Sequence, residues 1–181
     1  MTKILNQNVQ VNYLIDDKIF ERSDELLSHE LNKHSQVLIA RFDVHPVKRD
    51  IDISRFNQRL VEKEKRKGYD PLYITVPEVG ESGNTHYHEI FFLNGNKIRH
   101  GWALFEDANR VLNNMLGEPP DKKTGLIHIS HCKSKYEAMI RRNSIDKNII
   151  REMSKKISYP SKIERKDNVK GKSFFSSQIK K

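Results

Sequence analysis

The sequence predicts an α+β protein built on a ferredoxin-like antiparallel sheet, a fold class that includes RRM-like domains. Apolar residues change between helical and strand spacing in the order helix, strand, helix, strand, strand, helix, strand, helix. The β-α-β-β-α-β kernel within this order is typical of split βαβ folds, with one extra helix before it and one after it. A length of 181 residues suits a single hydrophobic core. We expect helices on one face of the sheet and a working surface on the other.

The first half of the chain contains two predicted helices and three predicted strands. Apolar residues at helical spacing predict one helix over 16–34 and a second that begins at Ser54 and ends at Gly68. Runs rich in β-branched and aromatic residues predict strands over 36–47, 72–76 and 86–93. The turn-like segment 78–84 joins the last two strands into a hairpin.

The second half continues with a helix over 102–116, in which Trp102 is expected to pack in the core. A strand over 126–131 follows. The last helix is expected to begin at Ser144 and to run towards Tyr159.

The charge of the chain indicates an anionic partner. The formal net charge is +9, and the segment from Lys155 to the end holds nine basic residues against two acidic ones. Because the excess is concentrated in one segment, contact with nucleic-acid phosphates explains it better than general solubility.

A single cysteine, Cys132, and the absence of a long apolar run predict a cytoplasmic protein.

The His-Tyr-His triplet at 86–88 is the candidate metal site. Residues at i and i+2 of a strand lie on the same face, so His86 and His88 present two imidazoles together. The hairpin brings Glu78 close to them, and Glu81 is the alternative carboxylate nearer the turn. Two imidazoles and one carboxylate leave open positions on a divalent ion, as a catalytic metal requires.

Tyr159 is the candidate nucleophile, with Lys162 three residues later as its basic companion. A phenol has a pKa of about 10 and needs a neighbouring cation or metal to form the phenolate. Tyr136 is a second candidate, but it lacks a lysine at the same spacing and is expected to pack instead.

These motifs resemble those of HUH endonucleases, the initiators, relaxases and transposases of rolling-circle elements. The stretches RFDVHP (41–46), THYHEIFFLNG (85–95) and ISYPSKIERKDNVKGKSFFSS (157–177) are similar to the YagK/YfjJ-type prophage family, which is related to filamentous-phage gene II replication proteins. The resemblance implies a Mg²⁺ or Mn²⁺ ion on His86 and His88. It also implies attack by Tyr159 on single-stranded or hairpin origin DNA, which forms a 5′-phosphotyrosine and frees a 3′-OH.

We expect the chain to be divided into three parts. Residues 1–35 form an N-terminal helical extension, 36–165 the endonuclease domain and 166–181 a basic tail.

Pro160 departs from the family pattern, since proline disfavours helical geometry at the residue before it. Tyr159 therefore lies either at a helix end or kink, or in a displaced position.

Other residues carry weaker predictions. DNA contacts are predicted for Arg41, Arg141, Arg142, Lys155, Lys156, Arg165 and Lys166. Asp43 and His45 alternate on the first strand, where a surface or phosphate contact is favoured over the metal. His128, His131 and Cys132 are interpreted as strand and turn residues rather than a zinc site. Phe174 and Phe175 either pack on the domain or stack on DNA bases.

Three functional hypotheses follow from these observations. The first is a metal-dependent, tyrosine-based nicking enzyme of a phage, prophage or plasmid. The second is a non-catalytic nucleic-acid-binding module on the same fold, which Pro160 favours. The third is a metal hydrolase that activates water and leaves no covalent adduct. The sequence contains no Gly-rich phosphate-binding loop, so a helicase of the host or of the element is a separate candidate partner.

Overall fold

The computed structural model describes residues 4–5, 16–46, 51–129, 137–160 and 173–179. In these ranges the helices are α1 (Asp17–Lys33), α2 (Ile53–Arg66), α3 (Trp102–Met115) and α4 (Lys147–Ser158). The strands are β1 (Gln36–Val44), β2 (Leu72–Val79), β3 (Thr85–Asn94), β4 (Ile127–His128), β5 (Glu137–Arg141) and β6 (Phe175–Ser176). Every helix in the described ranges is too short or too polar to cross a lipid bilayer.

The strands form one antiparallel sheet in the order β4-β1-β3-β2-β6, and β5 pairs with the same edge of β1 as β4 does. This arrangement confirms the predicted α+β, ferredoxin-like fold class. The long pair of β1 and β3 lies at the centre, with Val37 opposite Asn94 at one end and Val44 opposite Tyr87 at the other. The central pair therefore fixes which side chains face each other across the sheet.

Aspartate side chains cap three of the helices. The carboxylates of Asp16, Asp52 and Asp146 accept hydrogen bonds from backbone N–H groups in the first turns of α1, α2 and α4. The serines expected to begin two of these helices, Ser54 and Ser144, do not cap them, because Ser54 lies inside α2 and Ser144 precedes Asp146, the cap of α4. Aspartate and serine are about equally favoured as N-caps, so a serine near the start of a predicted helix does not identify the cap residue.

Helices cover both faces of the sheet. On one face, α2 and α3 pack on β1 and β3 through aromatic residues, and the rings of Phe42 and Phe91 stack with centroids 5.7 Å apart. On the other face, α1 and α4 pack on buried residues that include Ile39, Ile90 and Phe92. The expectation that this second face is open is therefore wrong over most of its area. Apolar side chains on both faces of the central strands exclude water from both.

Several local predictions differ from the structure. The strand expected over 126–131 is the two-residue β4 within the described part of the chain, and β5 was not predicted as a strand. Trp102 is 57% exposed rather than part of the core, because it is the first residue of α3 and faces solvent. Of the two alternatives for Phe174, packing is confirmed, since this side chain contacts the α1–α4 core.

Candidate metal centre and tyrosine

The metal candidates lie where the apolar face covered by α1 and α4 ends. Along β3 the side chains that share this face are Phe92, Ile90, His88 and His86, so the pattern changes from apolar to imidazole. The register places Glu78 of β2 opposite His86. Alternation along the strands thus brings all three candidate ligands to one side of the sheet.

The three side chains converge on one point. Oε2 of Glu78 lies 3.2 Å from Nε2 of His86 and 2.6 Å from Nε2 of His88. One nitrogen or oxygen from each residue lies within 4.8 Å of the others, a spacing that could hold one metal ion. Glu81 is exposed in the turn, so Glu78 is the carboxylate at the histidines. Two imidazoles and a carboxylate fit a divalent cation that retains open positions for substrate.

Asp43 supports this group from the neighbouring strand. It lies opposite His88 in the register, and its Oδ1 is 2.7 Å from His88 Nδ1. A carboxylate on Nδ1 fixes the ring orientation and directs Nε2 towards the metal position. Its hydrogen bond to His88 places Asp43 within this group, whereas its favoured phosphate contact stays a prediction. The signal in the sequence was its alternation with Arg41 and His45 on one face of β1.

The ionisation of the group follows from these contacts. Burial alone would lower the pKa of His88, but its hydrogen bonds to Asp43 and Glu78 outweigh burial and raise that pKa. The same bonds act on the acids. Hydrogen bonds from His86 and His88 hold the pKa of Glu78 far below its usual range. Burial raises the pKa of Asp43, yet the bond to His88 prevails and lowers it.

Two more histidines extend the site towards the sheet edge. The ring of His45 stacks on that of His86 with centroids 5.0 Å apart. The ring centroids of His45 and His128, which lies in β4, are 4.5 Å apart. Burial and the neighbouring imidazoles lower the pKa of His45, which favours its neutral form. The sequence-based interpretation of His128 as a strand residue is confirmed, but its contact with this cluster was not foreseen.

Tyr159 stands beside the metal candidates. Its ring centroid is 5.8 Å from that of His88, with the two rings nearly perpendicular, and 47% of the residue is exposed. It is the C-cap of α4 with helical φ and ψ of −62° and −52°. Of the two alternatives raised by Pro160, the helix end is the one observed. Because Pro160 follows the cap, its missing N–H removes no hydrogen bond within α4.

Arg41 connects α4 to the metal candidates. Its guanidinium lies 3.2 Å from the carbonyl oxygen of Lys156, 3.4 Å from Asp43 Oδ1 and 5.2 Å from the centre of the Tyr159 ring. The residue is only 8% exposed. Its predicted DNA contact stays a prediction, whereas its observed contacts position the C-terminal end of α4.

The other predicted DNA contacts are dispersed. Lys155 is exposed and pairs with Glu152, whereas Lys156 lines a cavity of about 580 Å³ between α4 and β5. Arg141 lines the same cavity and lies at the far end of β1, opposite Gln36, about 23 Å along the strand from the histidines. Arg142 donates to the carbonyl oxygens of Leu31 and Asn32 in the last turn of α1. The remaining predicted residues lie outside the described ranges: Lys162, Arg165, Lys166, Tyr136, His131 and Cys132.

The sheet, the histidine–carboxylate group and the adjacent exposed tyrosine define an α+β protein with a candidate metal centre. The family described as replication-associated protein ORF2/gene 2 protein matches residues 42–168 of the chain. The match covers more than half of the 181 residues and includes the metal candidates and Tyr159. The chain therefore belongs to this family of replication-associated proteins. No curated protein and no solved structure matches it.

Proposed function

We propose that the protein is a metal-dependent endonuclease that nicks single-stranded origin DNA and transfers the strand through a 5′-phosphotyrosine. One observation carries this proposal: the exposed side chain of Tyr159 lies against the ring of His88. His88 belongs to the group of three candidate metal ligands that it forms with Glu78 and His86. Membership of a replication-associated family supports a role as a replication initiator.

Glu78, His86 and His88 would hold the divalent ion, Mg²⁺ or Mn²⁺. When bound there, such an ion supplies Lewis-acid polarisation of the scissile phosphate. The support from this chain is the donor set itself, together with Asp43 on the far nitrogen of His88. A ring held on both nitrogens cannot rotate away from the position that the substrate approaches.

Tyr159 would attack the phosphorus atom. Its phenolic oxygen forms a bond to phosphorus, the bond between phosphorus and the 3′ oxygen breaks, and that oxygen receives the proton lost by the phenol. The products are a DNA 5′ end linked to Tyr159 and a free 3′-OH. Arg41 would place the ring, because its guanidinium touches the ring and the last turn of α4.

The DNA would run along α4. The cavity between α4 and β5 is lined by basic, acidic and apolar side chains, among them Lys156, Arg141, Arg99, Glu137, Glu152 and Met153. The basic side chains suit phosphates and the apolar side chains suit bases. We also propose that the protein is related to the YagK/YfjJ-type prophage family, that it acts in the cytoplasm, and that a helicase of the host or of the element works with it.

The experiment is capture of a covalent adduct. The protein is incubated with Mn²⁺ and labelled single-stranded DNA, denatured, and tested for retained label. Tyr159→Phe should abolish the label while DNA binding persists. Tyr69→Phe, which removes a phenol on a loop away from the triad, is the matched control and should leave the label unchanged.

Two outcomes separate the competing functions. Salt-sensitive DNA binding without Mn²⁺-dependent cleavage would indicate a non-catalytic module. Cleavage that leaves no adduct in the wild type would indicate hydrolysis by activated water. An adduct of undiminished yield with Tyr159→Phe would refute the assignment of the nucleophile.

A further inference from the structure

A second group of metal-binding side chains lies at the opposite end of the sheet. Glu30 lies in the last turn of α1, His34 is the extended residue that caps this helix, and Asp70 meets both from the loop before β2. Nε2 of His34 lies 3.4 Å from Oε2 of Glu30 and 3.3 Å from Oδ2 of Asp70. One ligand atom from each of the three residues lies within 4.8 Å of the others.

Glu30 lacks the partners that a buried carboxylate needs. Its side chain is 0% exposed, and neither carboxylate oxygen has a hydrogen-bond donor among the described residues. The cation beside it is Lys33, whose Nζ lies 3.6 Å from Oε1 of Glu30 and 3.2 Å from Asp70. Lys33 is itself 43% exposed, so its compensation of the buried charge is screened by water. Burying an unsatisfied carboxylate is costly, and a cation bound to it removes that cost.

The spacing of the ligand atoms is compatible with a small divalent ion. Bonds of 2.0–2.1 Å in a tetrahedral site place the ligand atoms about 3.3 Å apart. The separations of 3.4 and 3.3 Å from His34 Nε2 to Glu30 and Asp70 agree with that edge length, and the shorter one is also a hydrogen bond between His34 and Asp70. Asp70 has a φ of +45°, a left-handed conformation that side-chain-bearing residues rarely adopt and that is retained where a side chain must be aimed. The negative end of the α1 dipole adds attraction for a cation.

We propose that Glu30, His34 and Asp70 bind a Zn²⁺ ion that joins the end of α1 to the start of β2. One imidazole and two carboxylates suit Zn²⁺, and partial exposure of His34 and Asp70 leaves the fourth position to solvent. The ion takes the place that the Lys33 ammonium now occupies between the two acids. Its role is structural, because this end of the sheet is remote from Tyr159.

The test measures Zn²⁺ binding by calorimetry and by elemental analysis in the full chain carrying His86→Ala and His88→Ala, which removes the first candidate site. This background should bind one equivalent of Zn²⁺, and adding His34→Gln should abolish binding. His100→Gln, at a histidine whose side chain is 78% exposed, is the matched control and should leave one equivalent bound. No binding in the background, or equal binding with His34→Gln, would overturn the proposal.

The variant Lys33→Gln gives a test that misfolding cannot mimic, because its expected result is tighter Zn²⁺ binding. Lys33→Gln removes the competing ammonium, and loss of one unit charge about 4 Å away should tighten Zn²⁺ binding by about fivefold or more. Zn²⁺ at a hundredfold excess over its Kd should raise Tm by about 5–10 °C in the background, and not with His34→Gln. Unchanged affinity with Lys33→Gln would contradict the proposed position of the ion. Because this background retains Tyr159 but not the first site, neither result depends on the proposed nicking activity.

Discussion

Asp43→Asn removes a negative charge beside His88 while keeping the size of the side chain and an acceptor oxygen. The carboxylate lies 2.7 Å from His88 Nδ1, and the Asp43 side chain is only 15% exposed, so water does not replace it readily. The amide is a weaker acceptor and can present its NH₂ group to the ring, which favours the wrong tautomer. Loss of such a supporting carboxylate typically weakens metal binding about 10–100-fold.

This loss can be measured by titrating Mn²⁺ against both calorimetric binding and adduct formation. We expect the Mn²⁺ midpoint of Asp43→Asn to rise by about 10–100-fold, with most of the adduct yield restored at saturating Mn²⁺. Asp52→Asn, at a helix cap away from the site, is the matched control and should leave the midpoint unchanged. An unchanged midpoint for Asp43→Asn would refute the inference that this residue orients a metal ligand.

Three further predictions concern Glu64, Arg41 and Phe174. Glu64 is fully buried beside Lys67, whose Nζ lies 3.5 Å from its Oε1, and burial outweighs this ion pair and raises the pKa of Glu64 above the ordinary value of 4.5. The folded state favours the protonated carboxyl of Glu64. This contribution to stability is fully present below pH 4.5 and is lost as pH rises through the raised pKa. Glu64→Gln should therefore raise Tm by about 2–4 °C at pH 8 and by less at pH 5, and an equal difference at both pH values would contradict this. Arg41→Gln should slow adduct formation about tenfold or more at saturating Mn²⁺ and DNA, because Tyr159 loses a positioning contact; an unchanged single-turnover rate would contradict that role. Phe174→Ala should lower Tm by about 2–4 °C per kcal/mol of lost packing, as differential scanning calorimetry would detect.

The fold was largely predictable because its central elements carry strong periodic patterns. The strand that holds the histidines and the hairpin before it follow from β-branched and aromatic runs interrupted by one Gly-containing turn. β5 escaped prediction because its sequence, EAMIR, has helix-forming residues and is a strand through its pairing with β1. The covering of the second sheet face depends on where α1 and α4 dock, which periodicity within each helix does not encode.

The site was predictable where its residues are close in sequence. His86, His88 and Glu78 belong to one hairpin, so strand alternation was enough to bring them together. Asp43 and Arg41 join them through the register between β1 and β3, which a single sequence does not specify. The approach of Tyr159 requires α4 to pack across this face, a tertiary contact that was suggested only by the resemblance to a known family.

The most direct test of the central claim is the identity of the residue that carries the DNA. Trypsin cleavage after Lys156 and Lys162 releases the peptide ISYPSK, in which Tyr159 is the only tyrosine. After reaction with Mn²⁺ and single-stranded DNA and digestion of the DNA, tandem mass spectrometry should find a nucleotide 5′-phosphate on Tyr159 of this peptide. A nucleotide on the peptide that contains Tyr136, or nicked DNA with every tyrosine unmodified, would contradict the account.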